Sequence, residues 1–536
     1  MERNQMEQPI QRRPYFMHGF AACGSKDSTI IYVPKGRYLV GSMVFRGACK
    51  SPDITIRIDG TLVAPRDYHN LGQAAKWLSF EGVIGVSIVG GALDAKGSPL
   101  WACKAKSSNC PRGATTLSFT NANNIKINGL LSLNSQMFHI VINGCQNVNI
   151  EGIKAIAAGD SPNTDAFATT IFNVLTYGAK PNGLTDSTKA FLDAWTAACG
   201  SADSTMIYVP RGRYWLGSMV FAGGCKSPDI TIQIDGTLVA PGDYRILGQA
   251  ANWLSFEGVA GVSIVGGALD AKGSPLWACK AKGNDCPSGA SSLSFTNSNN
   301  IKIKGLLSLN SQMFHIVING CQNVNIEGVT VIAAGDSPNT DGIHVQLSSN
   351  IVITNSTINT GDDCISIGPG TQNLWIEGIK CGPGHGISIG SLGKDPEEQG
   401  VRNVTVTKTV FAGTQNGFRI KSWARPSNGF AQRIRFMGAI MRNVQNPIII
   451  DQHYCPHNLN CPNQVSGVKI SDVIYQDIRG TSATPVAINF DCSSKYPCNG
   501  IRLQNVDLTC SNQAAQSFCA NVLGKIIGLV QPNGCL

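Results

Sequence analysis

The sequence predicts an all-β solenoid, a parallel β-helix. A short phrase, Asn-Ile/Val-x-Ile-x-Gly/Asn, begins at five asparagines separated by 23, 27, 23 and 30 residues, the length of one coil of such a fold. Short Val/Ile runs broken by Gly and Asn separate these phrases, and the chain contains 59 glycines. The phrases begin at Asn300, Asn323, Asn350, Asn373 and Asn403, with weaker echoes at Arg433, Gly467 and Gly500.

In such a fold the alternating Ile and Val side chains point inward and stack, while Asn side chains at the turns form ladders. A β-sandwich with strands of similar length is the alternative. It explains less, because sandwiches do not repeat one Asn-anchored phrase.

A large segment of the chain is duplicated. Residues 21–165 align without gaps on residues 197–341, with 121 identities in 145 positions. The first copy stops just after Asn163-Thr164-Asp165, and a new unit begins near Thr169. We therefore divide the chain into an unmatched leader (1–20), a truncated duplicate that we expect to be inactive (21–168) and a complete unit (169–536).

Residues 186–195 predict an amphipathic helix at the start of the complete unit. Asp186 or Ser187 is the candidate N-cap, and the apolar surface comes from Ala190, Leu192, Ala194 and Trp195. A lone helix before a long β array is typical of a solenoid cap, which covers the open apolar end. The first copy has no such helix.

The amino-acid composition narrows the possible compartment and binding partners of the protein. Nineteen cysteines favour an oxidising, extracellular compartment, although residues 1–20 have no apolar core of seven or more residues and do not resemble a signal peptide. A net charge of +9 suits an acidic polysaccharide better than nucleic acid, because no basic run is interleaved with aromatics. No segment approaches the ~20 apolar residues of a membrane span. We expect a monomer.

Four polar signatures occur at the same phase of the repeat, each opening or overlapping an apolar run. Because successive coils stack, their side chains are predicted to form one ladder on one face. The signatures are Asn339-Thr340-Asp341, Gly361-Asp362-Asp363, Gly384-His385-Gly386 and Arg419-Ile420-Lys421.

The chemistry of this ladder indicates a glycosidase. Asp341, Asp362 and Asp363 would lie on coils ~4.8 Å apart, close enough to separate their pKa values into an acid and a base. His385, one coil further and between two glycines, is placed to hydrogen-bond an aspartate. Two cations that share a strand face suit a sugar carboxylate.

SPNTDG at 337–342, GDDC at 361–364, GHGISIGS at 384–391 and RIK at 419–421 resemble the four motifs of the polygalacturonases of glycoside hydrolase family 28, plant members above all. The resemblance covers residues 169–536. It implies a right-handed parallel β-helix and inverting hydrolysis of α-1,4-linked galacturonan, with no metal and no cofactor.

The resemblance also implies individual roles. Asp362 matches the general acid, and Asp341 and Asp363 match the pair that activates water. His385 matches the histidine that supports the acid.

Four further residues match positions that bind substrate. Arg419 and Lys421 match the residues that hold the substrate carboxylate, and Tyr454 matches a tyrosine beside the bound sugar. Asn339 matches a polar position that shapes the site.

Cysteine pairing is predicted in part. The resemblance implies a disulfide between Cys364 and Cys381, and the odd total leaves at least one thiol, for which Cys321 is the candidate. Pairs near enough in sequence to close small loops are Cys279/Cys286, Cys455/Cys461 and Cys492/Cys498.

We expect an endo-acting hydrolase of demethylated homogalacturonan in the cell wall. The alternatives are an exo-acting enzyme on the same polymer, a calcium-dependent lyase on a similar β-helix, and an inactive pectin-binding protein whose site the upstream copy has spoiled.

Overall fold

The computed structural model describes residues 22–72, 74–106, 110–157, 167–168, 170–202, 204–283, 285–456, 459, 461–511, 513–533 and 535–536. The leader and the first-copy signature Asn163-Thr164-Asp165 lie outside these residues. The chain divides into two compact units, Met1–Thr170 and Ile171–Leu536.

The second unit is a parallel β-helix, as predicted. One wall is an eleven-stranded sheet, and a continuous 23-stranded sheet contains two further stacks of strands. The coils pair in parallel, and one hairpin near the C-terminus is antiparallel. The strands of the first wall are Met219–Ala222, Asn252–Glu257, Ser291–Thr296, Ile316–Asn319, Ile343–Gln346, Ile365–Ile367, Ile387–Leu392, Asn416–Trp423, Asn446–Tyr454, Val486–Asp491 and Gln516–Ala520. Those of the larger sheet are Thr170–Asn173, Asn182–Asp186, Thr205–Val209, Arg213–Trp215, Ile230–Ile234, Thr237–Val239, Val262–Val265, Ala268–Asp270, Asn299–Lys304, Leu307–Leu309, Gln322–Glu327, Thr330–Ile332, Ser349–Thr354, Thr357–Asn359, Gln372–Glu377, Lys380–Cys381, Val401–Thr407, Val410–Ala412, Phe430–Val444, Lys469–Ser482, Cys498–Cys510, Gln513–Ala514 and Val522–Gln531.

Alternation along these strands separates the core from the outer face. On three neighbouring coils Ile343, Ile365 and Ile387 pair in register and are fully buried. Successive strand residues point to opposite faces, so the residues between the buried ones face outward. The first wall therefore presents a row of outward side chains at fixed spacing.

The predicted asparagine ladder is confirmed. Side-chain amides link Asn300, Asn323, Asn350, Asn373 and Asn403 in sequence at 3.2, 3.2, 3.1 and 2.7 Å. All five have φ between 56° and 59°, a left-handed turn that asparagine tolerates better than most residues.

One of the weaker echoes was placed wrongly. Gln432 pairs with Ser471 and Ser471 with Asn499, so the coil position after Arg433 is Asp472, followed by Gly500. Asp472 has the same left-handed conformation, with φ 54°. Gly467 lies outside this position because the preceding loop is longer, and the phrase there matches by composition alone.

A helix spans Thr188–Gly200 at the start of the second unit. The Asp186 carboxylate accepts a hydrogen bond from the Thr188 N–H at 2.8 Å. Trp195 packs edge-on against Phe221 and Phe256 and donates to the Ala222 carbonyl at 3.1 Å. The buried face follows the helical spacing of Ala190, Phe191, Ala194, Trp195 and Ala198. The predicted Leu192 lies at the edge of this face and is only half-buried.

The other helices are short, and no helix among the described residues is long and apolar enough to cross a membrane. The first unit has His69–Gly72 and Ser98–Lys106. The second has Tyr244–Gly248, Ser274–Ala281 and the 3₁₀ turn Val174–Tyr177.

The first unit is built from three parallel five-stranded sheets around its own core. Ile31, Met43 and Phe45 are half-buried there and line an open apolar pocket. Their counterparts in the second unit are buried near the Thr188–Gly200 helix. The sheets comprise Thr29–Val33, Ile54–Ile58, Ile84–Val89, Asn123–Asn128 and Gln146–Glu151; Arg37–Leu39, Thr61–Val63, Ala92–Asp94, Leu131–Leu133 and Lys154–Ile156; and Met43–Arg46, Lys76–Glu81, Thr115–Thr120, Ile140–Asn143 and Phe167–Ala168.

All four predicted cysteine pairs form disulfides, and Cys321 is a buried free thiol. Cys145 and Cys510 are free as well. The pairs that the sequence did not predict are Cys23–Cys49, Cys103–Cys110, Cys199–Cys225 and Cys519–Cys535.

Candidate active site

The signatures meet on the first wall of the second unit. Asp341, Asp363 and His385 occupy equivalent places on three successive coils, because each precedes a paired, buried isoleucine by two positions. Parallel stacking therefore converts separations of more than twenty residues into neighbouring coils.

Asp362 is held by the imidazole of His385. His385 Nδ1 lies 3.0 Å from Asp362 Oδ1, which also accepts from the Asp363 N–H at 2.7 Å. Burial acts to raise the pKa of Asp362, but the hydrogen bond and charge of His385, with Lys421 and the Asp363 amide, outweigh it and lower that pKa. With 21 % of its side chain exposed against 3 % for Asp363, Asp362 is the more accessible of this adjacent pair.

Asp363 forms a buried ion pair with Lys421. Lys421 Nζ lies 2.9 Å from one carboxylate oxygen, and Ser388 Oγ donates to the other at 2.7 Å. Burial acts to lower the pKa of Lys421, but the negative charge of Asp363 prevails and raises it. Both oxygens of Asp363 are thus engaged by donors from the next two coils.

The surroundings of Asp341 favour the protonated form of its carboxyl. Burial raises its pKa well above the usual range, and the charges of Asp362 and Asp363 raise it further. The Ser366 hydroxyl and Lys421 oppose this shift without cancelling it. The environment therefore favours the protonated form of Asp341 and the ionised form of Asp362, whereas the family resemblance assigns the general acid to Asp362.

Arg419, Lys421 and Tyr454 form a cationic surface beside the carboxylates. The Tyr454 ring lies 5.0 Å from the Arg419 guanidinium and 5.3 Å from Lys421 Nζ. Arg419 also donates to Asp451 at 3.3 Å, and Trp423 packs edge-on against Tyr454. Cation–π contacts hold both cations next to an aromatic ring on which a sugar can rest.

Asn339 stands apart from this network. It is exposed, in a left-handed turn with φ 53°, and among the described residues no hydrogen bond joins its side chain to the carboxylates. Its neighbour Thr340 bonds the hydroxyls of Ser337 and Thr360, which fixes the turn.

The sequence assigned no role to Ser388, Asp451 or Trp423. Ser388 and Trp423 lie within signature strands, and Asp451 pairs with Lys421 on the following coil. The position of Asp451 in the repeat, one coil after Lys421, is the sequence signal that would have identified it.

Asp362, Asp363 and His385 offer ligand atoms within 4.8 Å of one another. The set does not suit a divalent cation, because the ammonium of Lys421 already occupies Asp363 and would repel one. His385 Nδ1, in turn, is directed at Asp362.

The family model of glycosyl hydrolases family 28 matches residues 23–174 and 199–527. The chain belongs to this family. The first match falls on the truncated duplicate and the second on the unit that contains the carboxylates. Family 28 membership makes the chain a glycoside hydrolase by descent.

Plant relatives in family 28 are similar over about two thirds of this chain. A polygalacturonase from Prunus persica is 63 % identical over 366 residues, 68 % of this chain and 93 % of the relative. Polygalacturonase QRT2 from Arabidopsis thaliana is 43 % identical over 371 residues, 67 % of this chain and 83 % of the relative. An exopolygalacturonase from Platanus acerifolia is 42 % identical over 369 residues, 68 % of this chain and 97 % of the relative.

Solved structures confirm the family fold. An endo-xylogalacturonan hydrolase from Aspergillus tubingensis superposes with a TM-score of 0.59 at 24 % identity, over 67 % of this chain and all of that one. A polygalacturonase from Erwinia carotovora gives 0.54 at 23 % identity, over 67 % and 96 %.

Proposed function

We propose that the chain hydrolyses α-1,4-galacturonosidic bonds in polygalacturonan. The decisive observation is that three carboxylates lie against a surface made by Arg419, Lys421 and Tyr454, which suits a polymer carrying one carboxylate per sugar. The names of the plant relatives point to the same substrate class.

In this proposal Asp362 protonates the leaving oxygen. It is more exposed than Asp363, and one of its oxygens is held by His385 and the Asp363 amide. An anionic sugar bound beside it disfavours its ionised form and raises its pKa, which favours the protonated acid that the leaving oxygen needs. Asp341 and Asp363 then activate the water, and attack from the opposite side inverts the anomeric centre.

Arg419 and Lys421 bind a substrate carboxylate. Arg419 is already paired with Asp451 and Lys421 with Asp363, and each cation has further N–H donors that these carboxylates do not use. A second carboxylate can therefore be added without breaking the ion pairs that hold the cations in place. Tyr454 supplies the apolar face against which the sugar ring packs.

The test is release of reducing ends from polygalacturonate, with a neutral galactan as control. We expect hydrolysis of the acidic polymer alone. An endo-acting enzyme releases a range of oligomers and lowers viscosity early, whereas an exo-acting one releases only short products of one size. Binding without any release would instead support an inactive pectin-binding protein.

The hydrolase is expected to work without a metal. Activity after exhaustive treatment with EDTA should equal untreated activity within about twofold, because the Lys421 ammonium rather than a metal ion neutralises Asp363. Product absorbance in the ultraviolet separates the reactions, since a lyase leaves an unsaturated sugar. Loss of activity restored by Ca²⁺, with an absorbing product, would show a lyase.

We propose further that residues 169–536 are the catalytic unit and that 21–168 contribute no active site. The Prunus persica relative supports this division, since 93 % of its length matches only 68 % of this chain. A protein beginning at Ile171 should retain turnover per molecule within about twofold of the full chain. A large gain would show that the first copy inhibits, and a large loss would show that it is required.

Eight disulfides suit an extracellular protein, and we propose the cell wall as its site of action. A monomer is proposed as the active form. Immunolocalisation and sedimentation test these two statements.

A further inference from the structure

The outward row of the first wall contains two serines that stand in the same relation to two carboxyls. Ser388 donates to Asp363, 25 residues earlier, at 2.7 Å. Ser366 lies on the preceding coil, where it pairs with Ser388, and it follows Asp341 by the same 25 residues. The Ser366 hydroxyl is thereby placed against Asp341, and it stabilises the ionised form of that carboxyl.

Ser366 has a second partner that Ser388 lacks. His344, its paired residue on the previous coil, places Nδ1 2.7 Å from Ser366 Oγ. The imidazole is half-buried and stacks on Phe314 with ring centroids 5.0 Å apart. A hydroxyl has one proton to donate, so Asp341 and His344 compete for it.

The side chain of Gln346 lies beside the imidazole of His344. Gln346 donates its amide N–H to Asn319 at 3.3 Å, which leaves the Gln346 carbonyl oxygen to accept from the imidazole. Burial lowers the pKa of His344 and so favours the neutral ring, which carries a single proton. A ring proton directed to Gln346 would leave Nδ1 as the acceptor of the Ser366 hydroxyl.

We propose that His344 is a positioning residue for Asp341 that acts through Ser366: the hydroxyl donates to His344 while Asp341 holds a proton, and turns to Asp341 when that carboxyl is ionised. His344 thus favours the protonated form of the candidate base. The charges facing Asp341 are Asp362, Asp363 and Lys421, and those facing His344 are Asp363 and Lys421. None of them needs to move for this rotation.

The two side chains should shift the titration of Asp341 in opposite directions. Ser366→Ala removes the donor, so the midpoint should rise by about one pH unit. His344→Phe keeps a ring on Phe314 but removes the competing acceptor, so the midpoint should fall by about half a unit. The double variant should behave like Ser366→Ala alone, because His344 acts only through the hydroxyl.

The experiment is infrared difference titration of the full chain, with the buried carboxyl band assigned by its loss in Asp341→Asn. Ser298→Ala is the matched control; it removes a buried hydroxyl at a position where the first copy has Ala122, and its midpoint should equal that of the wild type. His344→Asn, which keeps a polar group near the Nδ1 position, should restore part of the wild-type midpoint.

Midpoints that move in the same direction in both single variants, or that add in the double variant, would overturn the proposal. The acidic limb of the kcat/KM profile on polygalacturonate should follow the infrared midpoints, and this part rests on the proposed function. Correct infrared shifts with no hydrolysis by the wild type would refute the function and leave the His344 assignment standing. Hydrolysis by the wild type together with unshifted infrared midpoints in the variants would refute the His344 assignment and leave the proposed function standing.

Discussion

Asp362→Asn is expected to lower kcat on polygalacturonate by about 10²- to 10⁴-fold, the usual contribution of a positioned general acid. The amide cannot deliver a proton to the leaving oxygen. The change leaves Arg419, Lys421 and Tyr454 in place, so affinity for an oligogalacturonate should stay within a few-fold of the wild type. Initial rates of reducing-end release and calorimetric binding measure the two effects separately.

Asp336→Asn is the matched control for this substitution. Asp336 is exposed, five residues before Asp341, and its replacement should leave kcat unchanged within about twofold. Near-wild-type turnover by Asp362→Asn would show that another group protonates the leaving oxygen. Asp341, whose pKa is raised by burial, would then be the first candidate.

Lys421→Met should impair both folding stability and activity. It leaves Asp363 buried without its cation, and removing one partner of a buried ion pair costs about 3–5 kcal/mol of unfolding free energy. Turnover should fall at least 10²-fold, because the water-activating pair loses its charge balance and the substrate loses a cation. Chemical denaturation and initial rates are the measurements.

A second substitution separates these two roles of Lys421. Asp363→Asn combined with Lys421→Met removes the unpaired charge, so most of the lost stability should return while activity stays absent. Lys408→Met is the control; its ion pair with Glu377 is exposed, with 73 % of the lysine side chain accessible, and should contribute little to the unfolding free energy. Equal losses at Lys408 and Lys421 would contradict the buried-pair account.

The sequence predicted the coils well because their signal is local. An asparagine in a left-handed turn followed by alternating apolar residues defines one coil wherever it occurs, and the ladder from Asn300 to Asn403 follows directly. Where loops lengthen, the phrase no longer marks the start of a coil. The sequence pointed to Gly467, whereas the structure has Asp472 at that coil position.

The sequence predicted the charged residues of the candidate site, because they recur at the same position of the repeat. It did not predict the neutral side chains that contact them. Ser388 and Ser366 are ordinary strand residues in the sequence, and only the register shows that each serves a carboxyl one coil earlier. The direction of the pKa shifts depends on burial and on distances between coils. The sequence therefore indicated an acid and a base among the three aspartates but could not say where the proton rests.

Three of the four missed cysteine pairs are long-range, whereas Cys103–Cys110 has the spacing of the predicted Cys279–Cys286 and was predictable from it. Cys199 and Cys225 are 26 residues apart, and nothing in their spacing distinguishes them from other possible pairs. Loops of six or seven residues, such as Cys492–Cys498, were predictable because few other geometries close them.

The most direct test of the site is a crystal structure of Asp362→Asn with a galacturonate oligomer bound. The account predicts a sugar carboxylate at Arg419 and Lys421, a ring against Tyr454, and the glycosidic oxygen within hydrogen-bonding distance of the residue-362 amide. An oligomer bound on another face, or in this groove with its carboxylates turned away from both cations, would contradict it.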